Sequence, residues 1–364
     1  MGKYPFNKEE ELKVVGEFKA FSSRTGGGVE GMAKFPRLNT PITAKENYNL
    51  LFSHQDPAWM PCMYEQGSIN PKDFPDNVAR AFVAEALKAD VKGGKDWFGV
   101  DWEYIEMVGG SMVPPGNPKV KDLENWEDDI VFPDLDKIDW AALKERNEKY
   151  IDRDYPLTTT LFTGFFERLI SWVDFEDAAL ALIDEEQQEY VHAIFSKLAD
   201  FYCELIGRLD DALKLDIVCL HDDWGSQRAP FFALDTAREM LVPYVKRVVD
   251  YCHSRNIWFH MHSCGKNEMV VPAYIEAGVD VWCPQPMNDI VMLSEKYGDQ
   301  IAFGWSPDPL PDDATDEQVY ECAKKFVDMF KGNKRILAFT RTTAGTTDRL
   351  HKYLYSITRE LYNN

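Results

Sequence analysis

The segment FHMHSCGKN, residues 259–267, places His260, His262 and Cys264 at alternate positions just before a glycine. On an extended strand, alternate residues share one face about 6.6 Å apart. His262 and Cys264 can therefore reach one ion between them, and imidazole nitrogen and thiolate sulfur are both good zinc donors. His260 sits a further ~6.6 Å down the same face and reads as a core histidine or one that supports the ligands from behind. A third ligand is then needed. Cys283 in VDVWCPQ stands at the end of the next strand, although a free cysteine is usually just a small buried residue. Glu65 in AWMPCMYEQG is the other candidate, offering a carboxylate.

A second group of reactive residues lies in CLHDDWGSQR. Neighbours on an extended segment face opposite ways, so only one of Asp222 and Asp223 enters a site, and the other suits a turn or helix cap. The inward carboxylate, with His221 beside it, can exchange protons, accept a substrate hydrogen bond or orient a ligand histidine. Gln227 is a candidate substrate contact, as are Tyr64 and Trp102. Trp102 belongs to an aromatic, acidic stretch, DWFGVDWEYIEM, that either walls an apolar substrate or fastens a loop. Arg341, in ILAFTRTTAG, would clamp a carboxylate or phosphate. Its plainer reading is a salt bridge.

These residues share a place in the pattern: each closes or follows a short apolar or β-branched run. PLTTTLFTG, LDIVCLHDDWG, IWFHMHSCG, VDVWCPQ, IAFGWSP and RILAFTRTTAG read as strands separated by amphipathic helices. AWMPCMYEQG and DWFGVDWEYIEM are read as two earlier strands, with a helix over DNVARAFVAEALKA between them. Eight strands alternating with helices predict an α/β fold, a (β/α)₈ barrel behind an N-terminal helical extension. The extension is placed at residues 1–45 and a single barrel domain at 46–364. Chemistry in such a barrel gathers at the C-terminal ends of the strands. A doubly wound sheet fits less well, because no G-x-G-x-x-G follows the first strands.

The net charge of −21 argues against nucleic acid and anionic lipid as partners. Seven scattered cysteines, an odd number, suit a reducing cytoplasm better than a disulfide framework. No apolar run is long enough to span a membrane, and the charged N-terminus carries no secretory signal pattern.

Several motifs together resemble the uroporphyrinogen decarboxylase superfamily: LNTPITAKENYNLLFSHQDPAWMPCM, DDWGSQ, HMHSCGKN and AGVDVWCPQP, in that order. The resemblance runs from about Arg37 to the end and is more specific for the superfamily than for one activity. The true decarboxylases carry an arginine-rich segment after the first strand, where this chain reads MYEQGSIN. The chain therefore looks more like the cobalamin-dependent methyltransferases and O-demethylase relatives. The resemblance implies zinc on a His-x-Cys pair plus a later cysteine. It also implies a partner corrinoid protein that carries the cobalamin, and a small-molecule methyl donor or acceptor (a methoxylated aromatic, a thiol or a folate). A homodimer is compatible with it. His262 and Cys264 match the pair, whereas the later cysteine is replaced by LAFTRTT around Arg341. Either Cys283 or Glu65 then completes a different metal site, or Arg341 serves as a substrate clamp without metal. A decarboxylase of a porphyrinogen or other carboxylate, and a non-catalytic corrinoid- or tetrapyrrole-binding barrel, are the alternative functions.

Overall fold

The short apolar runs at the centre of the chain become one parallel sheet, as expected of strands covered on both faces. The computed structural model describes residues 3–107, 109–330, 332–339 and 344–363. In chain order the strands are β1 (Val14–Ala20), β2 (Ala33–Leu38), β3 (Gly67–Ser68), β4 (Gly94–Lys95), β5 (Asp101–Ile105), β6 (Gly110–Met112) and β7 (Leu157–Leu161). There follow β8 (Ile217–His221), β9 (Trp258–His262), β10 (Val281–Trp282), β11 (Ala302–Trp305) and β12 (Ile336–Ala338). The parallel sheet runs β12-β11-β10-β9-β8-β7-β3. It curls until Cys62, in the segment leading into β3, forms a parallel bridge with Ala338 at the end of β12. This is the expected α/β barrel. Amphipathic helices such as Gln188–Leu213, Val242–Ser254 and Asp316–Met329 pack their apolar faces on it.

Four expected elements take another form. AWMPCMYEQG is strand-like only at the Cys62 bridge, turning through Met63–Glu65 before β3 begins at its final Gly67. DWFGVDWEYIEM does not enter the barrel; its β5 is the middle strand of the antiparallel sheet β4-β5-β6. Trp102 is buried while Asp101 and Glu103 are exposed, the alternation of a strand with one wet face rather than two buried ones. The helix read over DNVARAFVAEALKA stops after Pro75–Ala79. Ala81 takes a positive φ, and Asn70 pairs with Ala84 in an isolated bridge, so the chain turns back. Among the described residues the N-terminal extension has α-helix at Lys8–Glu11 and at Ala44–Phe52, the latter started by a Thr43–Glu46 capping box, and short 3-10 turns at Ser23–Thr25 and Val29–Gly31. Between the two α-helices β1 and β2 form an antiparallel hairpin, anchored by Phe18 stacked on Tyr155 with ring centroids 3.7 Å apart.

Two buried ion clusters fasten the additions to the barrel. Arg359 of the last helix binds Glu11 through Nε at 2.7 Å and Nη2 at 2.8 Å. Arg168, wholly buried on helix Phe165–Val173, pairs with both Asp76 and Asp96 and so ties the β4-β5-β6 region to the barrel. None of the seven cysteines forms a disulfide, and no helix among the described residues is long and apolar enough to cross a membrane.

Candidate active site

The strand register brings the chemistry together. His221 ends β8, His262 ends β9, and the two are direct partners in the parallel ladder. Both point into the barrel mouth, and their imidazoles stack with centroids 4.6 Å apart. Asp223, two residues past His221 on the same face, completes a group with them: one donor atom from each of His221, Asp223 and His262 lies within 4.8 Å of the others. All three are partly exposed.

Cys264 continues the face beyond His262. Its Sγ lies 3.5 Å from His262 Nε2 and accepts a hydrogen bond from Gln285 Nε2 at 3.2 Å. Two ligands of one tetrahedral zinc, N at about 2.0 Å and S at about 2.3 Å, would stand about 3.5 Å apart. The Cys264 N–H donates to Asp223 Oδ1 at 2.6 Å, fixing that carboxylate beside the thiol. Gly265 lets the chain turn here: its φ is +100°, and a Cβ would stand 2.3 Å from the Gly225 carbonyl carbon.

A residue not foreseen as functional holds the group from behind. Glu167, in the first turn of helix Phe165–Val173, accepts from His221 Nδ1 at 2.7 Å and from Arg80 Nη2 at 3.2 Å. That contact leaves His221 Nε2 as the nitrogen directed at the mouth. Burial works against the Glu167 charge, but Arg80 and then His221 outweigh it and hold the carboxyl at about 2. Burial likewise opposes a charged His221, and Glu167 overcomes it, so the imidazole sits above its usual value. Asp223 is pushed up by burial and by the Glu167 charge, against the pull of His221 and Cys264. The signal in the sequence was an acidic residue in the first helical turn after a strand end, in FTGFFER, which a search for metal and nucleophile motifs passes over.

Other expected residues lie elsewhere. Asp222 is fully buried and accepts from the backbone N–H of Phe166 and Glu167 and from Trp224 Nε1, so it caps the start of that helix and does not face the mouth. Gly164 is required beside it, since a Cβ there would fall 2.2 Å from Asp222 Cβ. Cys283 turns down into the barrel to His260, with Sγ to Nε2 3.0 Å, and does not join His262 and Cys264. Burial depresses His260 to about 4, so the imidazole there is neutral.

Glu65 is also placed apart. It takes hydrogen bonds from Trp59 Nε1, the Cys62 N–H and His351 near the β1-β2 hairpin. With Tyr64 it borders a cavity of about 340 Å³ that also touches Phe18, Phe35, Arg37 and Tyr155. Tyr155 precedes β7, so this cavity opens at the N-terminal end of the barrel, opposite the mouth. Trp102 is buried, its Nε1 on Asp96 and its ring beneath the Arg80 guanidinium at 4.6 Å; it supports Arg80 rather than facing substrate. Gln227 is exposed on a turn at the rim. Arg341 lies outside the described residues.

The zinc site implied by the resemblance is thus only half matched. The His262–Cys264 pair has the separation zinc requires, but neither Cys283 nor Glu65 approaches it; Asp223 and His221 do.

No protein-family model and no curated protein matches the sequence. Among solved structures the chain is similar to a methyltransferase from Methanosarcina mazei, with a TM-score of 0.60 and 15% identity over 88% of this chain and 99% of that one. A sugar phosphate isomerase/epimerase from Parabacteroides distasonis aligns at a TM-score of 0.31 and 11% identity, over 65% of this chain and 82% of that one. At such identities the likeness is one of fold, and the second is too distant to bear on the reading.

Proposed function

We propose that this chain is a methyltransferase of the uroporphyrinogen decarboxylase superfamily, passing a methyl group between a corrinoid carried by a partner protein and a small-molecule acceptor or donor. The observation that carries the reading is the His262–Cys264 pair, with Nε2 and Sγ 3.5 Å apart at the mouth of the barrel and Asp223 and His221 beside it. The M. mazei methyltransferase, which shares the fold along nearly its whole length, supports the same reaction class.

In the thiol direction the acceptor loses its proton, its sulfur forms a bond to the methyl carbon, and the carbon–cobalt bond breaks. Its electron pair stays on cobalt, taking Co(III) to Co(I). Methyl ethers run the chemistry the other way, with Co(I) attacking the methyl carbon and an alkoxide or phenolate leaving. A divalent metal, if held at this mouth by His221, Asp223 and His262, would supply the positive charge that stabilises thiolate or leaving oxygen near neutral pH.

The chain's own residues do the rest. Glu167 fixes the orientation of His221, the Cys264 N–H holds the Asp223 carboxylate at the mouth, and the acceptor's proton leaves to solvent through this partly exposed site. Gln285 holds the Cys264 sulfur in place. The test mixes the protein with methylcobalamin and a panel of thiols, and with Co(I) cobalamin and methoxylated aromatics, and analyses products by mass spectrometry. A methyl thioether or a free phenol, formed only with protein, is the expected result. No methylated or demethylated product in any mixture, or decarboxylation of uroporphyrinogen instead, would overturn the reading.

A further inference from the structure

The resemblance implies a metal held by one histidine and two cysteines, and the mouth of this barrel is built differently. We infer that His221, Asp223 and His262 form the ligand set for one divalent cation, with Glu167 as the positioning residue behind His221. Three observations converge on this.

The first is placement. His221 and His262 are paired across β8 and β9, and Asp223 follows on the same face, so the donors of three residues come within 4.8 Å of one another. Ligands about 2.1 Å from a common ion stand roughly 3–4 Å apart, so small side-chain rotations close the set. The second is support. His221 Nδ1 meets Glu167 Oε2 at 2.7 Å, the carboxylate–imidazole contact that fixes the ring and tautomer of metal-binding histidines. Glu167 is in turn held by Arg80, whose guanidinium rests over Trp102 and Phe162. The third is the removal of the alternatives. Cys283 is bonded to His260 below the mouth, and Glu65 is bonded to Trp59, Cys62 and His351 at the other end of the barrel.

Two imidazoles and one carboxylate leave a coordination position open and select a borderline divalent ion such as Zn²⁺ or Co²⁺. Cys264 stands beside the set without being needed to hold the ion. The inference concerns the same mouth as the methyl-transfer reading but is measured without methyl donor or corrinoid. Metal bound without methyl transfer, or the reverse, therefore separates the two.

The experiment strips the full chain with chelator and titrates it with Zn²⁺ and with Co²⁺ alone, recording stoichiometry, affinity and melting temperature. One ion per chain is expected. His221→Gln and Asp223→Asn should each weaken binding by more than about 100-fold, and Glu167→Gln by about 10–100-fold when measured well below the lowered melting temperature of its metal-free form. Cys264→Ser should keep one ion within about 10-fold of the wild-type affinity. No ion in the wild type, undiminished binding in Asp223→Asn or His221→Gln, or loss of binding in Cys264→Ser would each overturn the assignment. Asp223→Asn keeps the shape of the side chain, so its result stands even if His221→Gln fails to fold.

Discussion

Replacing Arg168 by Met tests how the region outside the barrel supports the site. Arg168 is fully buried, and its guanidinium is the shared partner of the Asp76 and Asp96 carboxylates, which are buried as well. Met keeps much of the side-chain volume and removes the charge, leaving two carboxylates facing each other out of water. Breaking a buried ion cluster from one side costs about 3–5 kcal/mol.

The cost should depend on pH. Burial already pushes Asp76 up to about 6, with Arg168 pulling the other way. A folded-state value above the unfolded 3.8 means that the contribution of Asp76 to wild-type stability falls as pH rises from about 4 to about 6 and then levels off. Without Arg168 the Asp76 carboxylate binds its proton more tightly still, and the decline continues to higher pH. Each further unit is worth about 1.4 kcal/mol. Urea unfolding should therefore show a deficit of about 4 kcal/mol at pH 8, smaller by at least about 1.4 kcal/mol at pH 5. Adding Asp76→Asn and Asp96→Asn should recover much of it. A deficit under about 1 kcal/mol, or one equal at both pH values, would refute the reasoning.

Gly304→Ala should cost about 1–3 kcal/mol in urea unfolding, because its Cβ would lie 2.1 Å from Cys283 Sγ. Cys283→Ala in the same chain should restore most of that loss without altering metal affinity, since Cys283 is a packing residue here. Glu167 sits at about 2 against an ordinary 4.5, so its stabilising contribution is present above about pH 4.5 and lost as pH falls toward 2. Glu167→Gln should therefore be less stable than wild type at pH 6, with a gap that narrows on acidification in pH-dependent unfolding curves.

The barrel was readable because its strands are short apolar runs ending in Gly, Pro or polar residues, a pattern that backbone pairing obeys. The misread segments obey it only locally. DWFGVDWEYIEM has strand chemistry, but whether a strand enters the barrel or an outlying antiparallel sheet depends on partners far away in sequence. Arg168 with Asp76 and Asp96 is such a long-range choice.

At the site, His262 and Cys264 could be paired from spacing alone, since period two on one strand is local geometry. That one of Asp222 and Asp223 turns away also follows from that period, and Asp222 proved to be the cap. The partnership of His221 with His262 depends on the register between two strands, and the role of Glu167 depends on how a helix packs over β8. Neither is written in any short stretch. Cys283 was misassigned because strand order put it next to Cys264, while Gly304 opens space that lets its thiol turn inward to His260.

The most direct measurement is the rate at which methyl–cobalt absorbance disappears when the protein is given methylcobalamin and an accepted thiol, compared with His262→Ala. The account predicts protein-dependent loss of the methyl–cobalt band that falls to the background rate in His262→Ala while the variant stays folded. A wild-type rate equal to background, or an undiminished rate in His262→Ala, would contradict it.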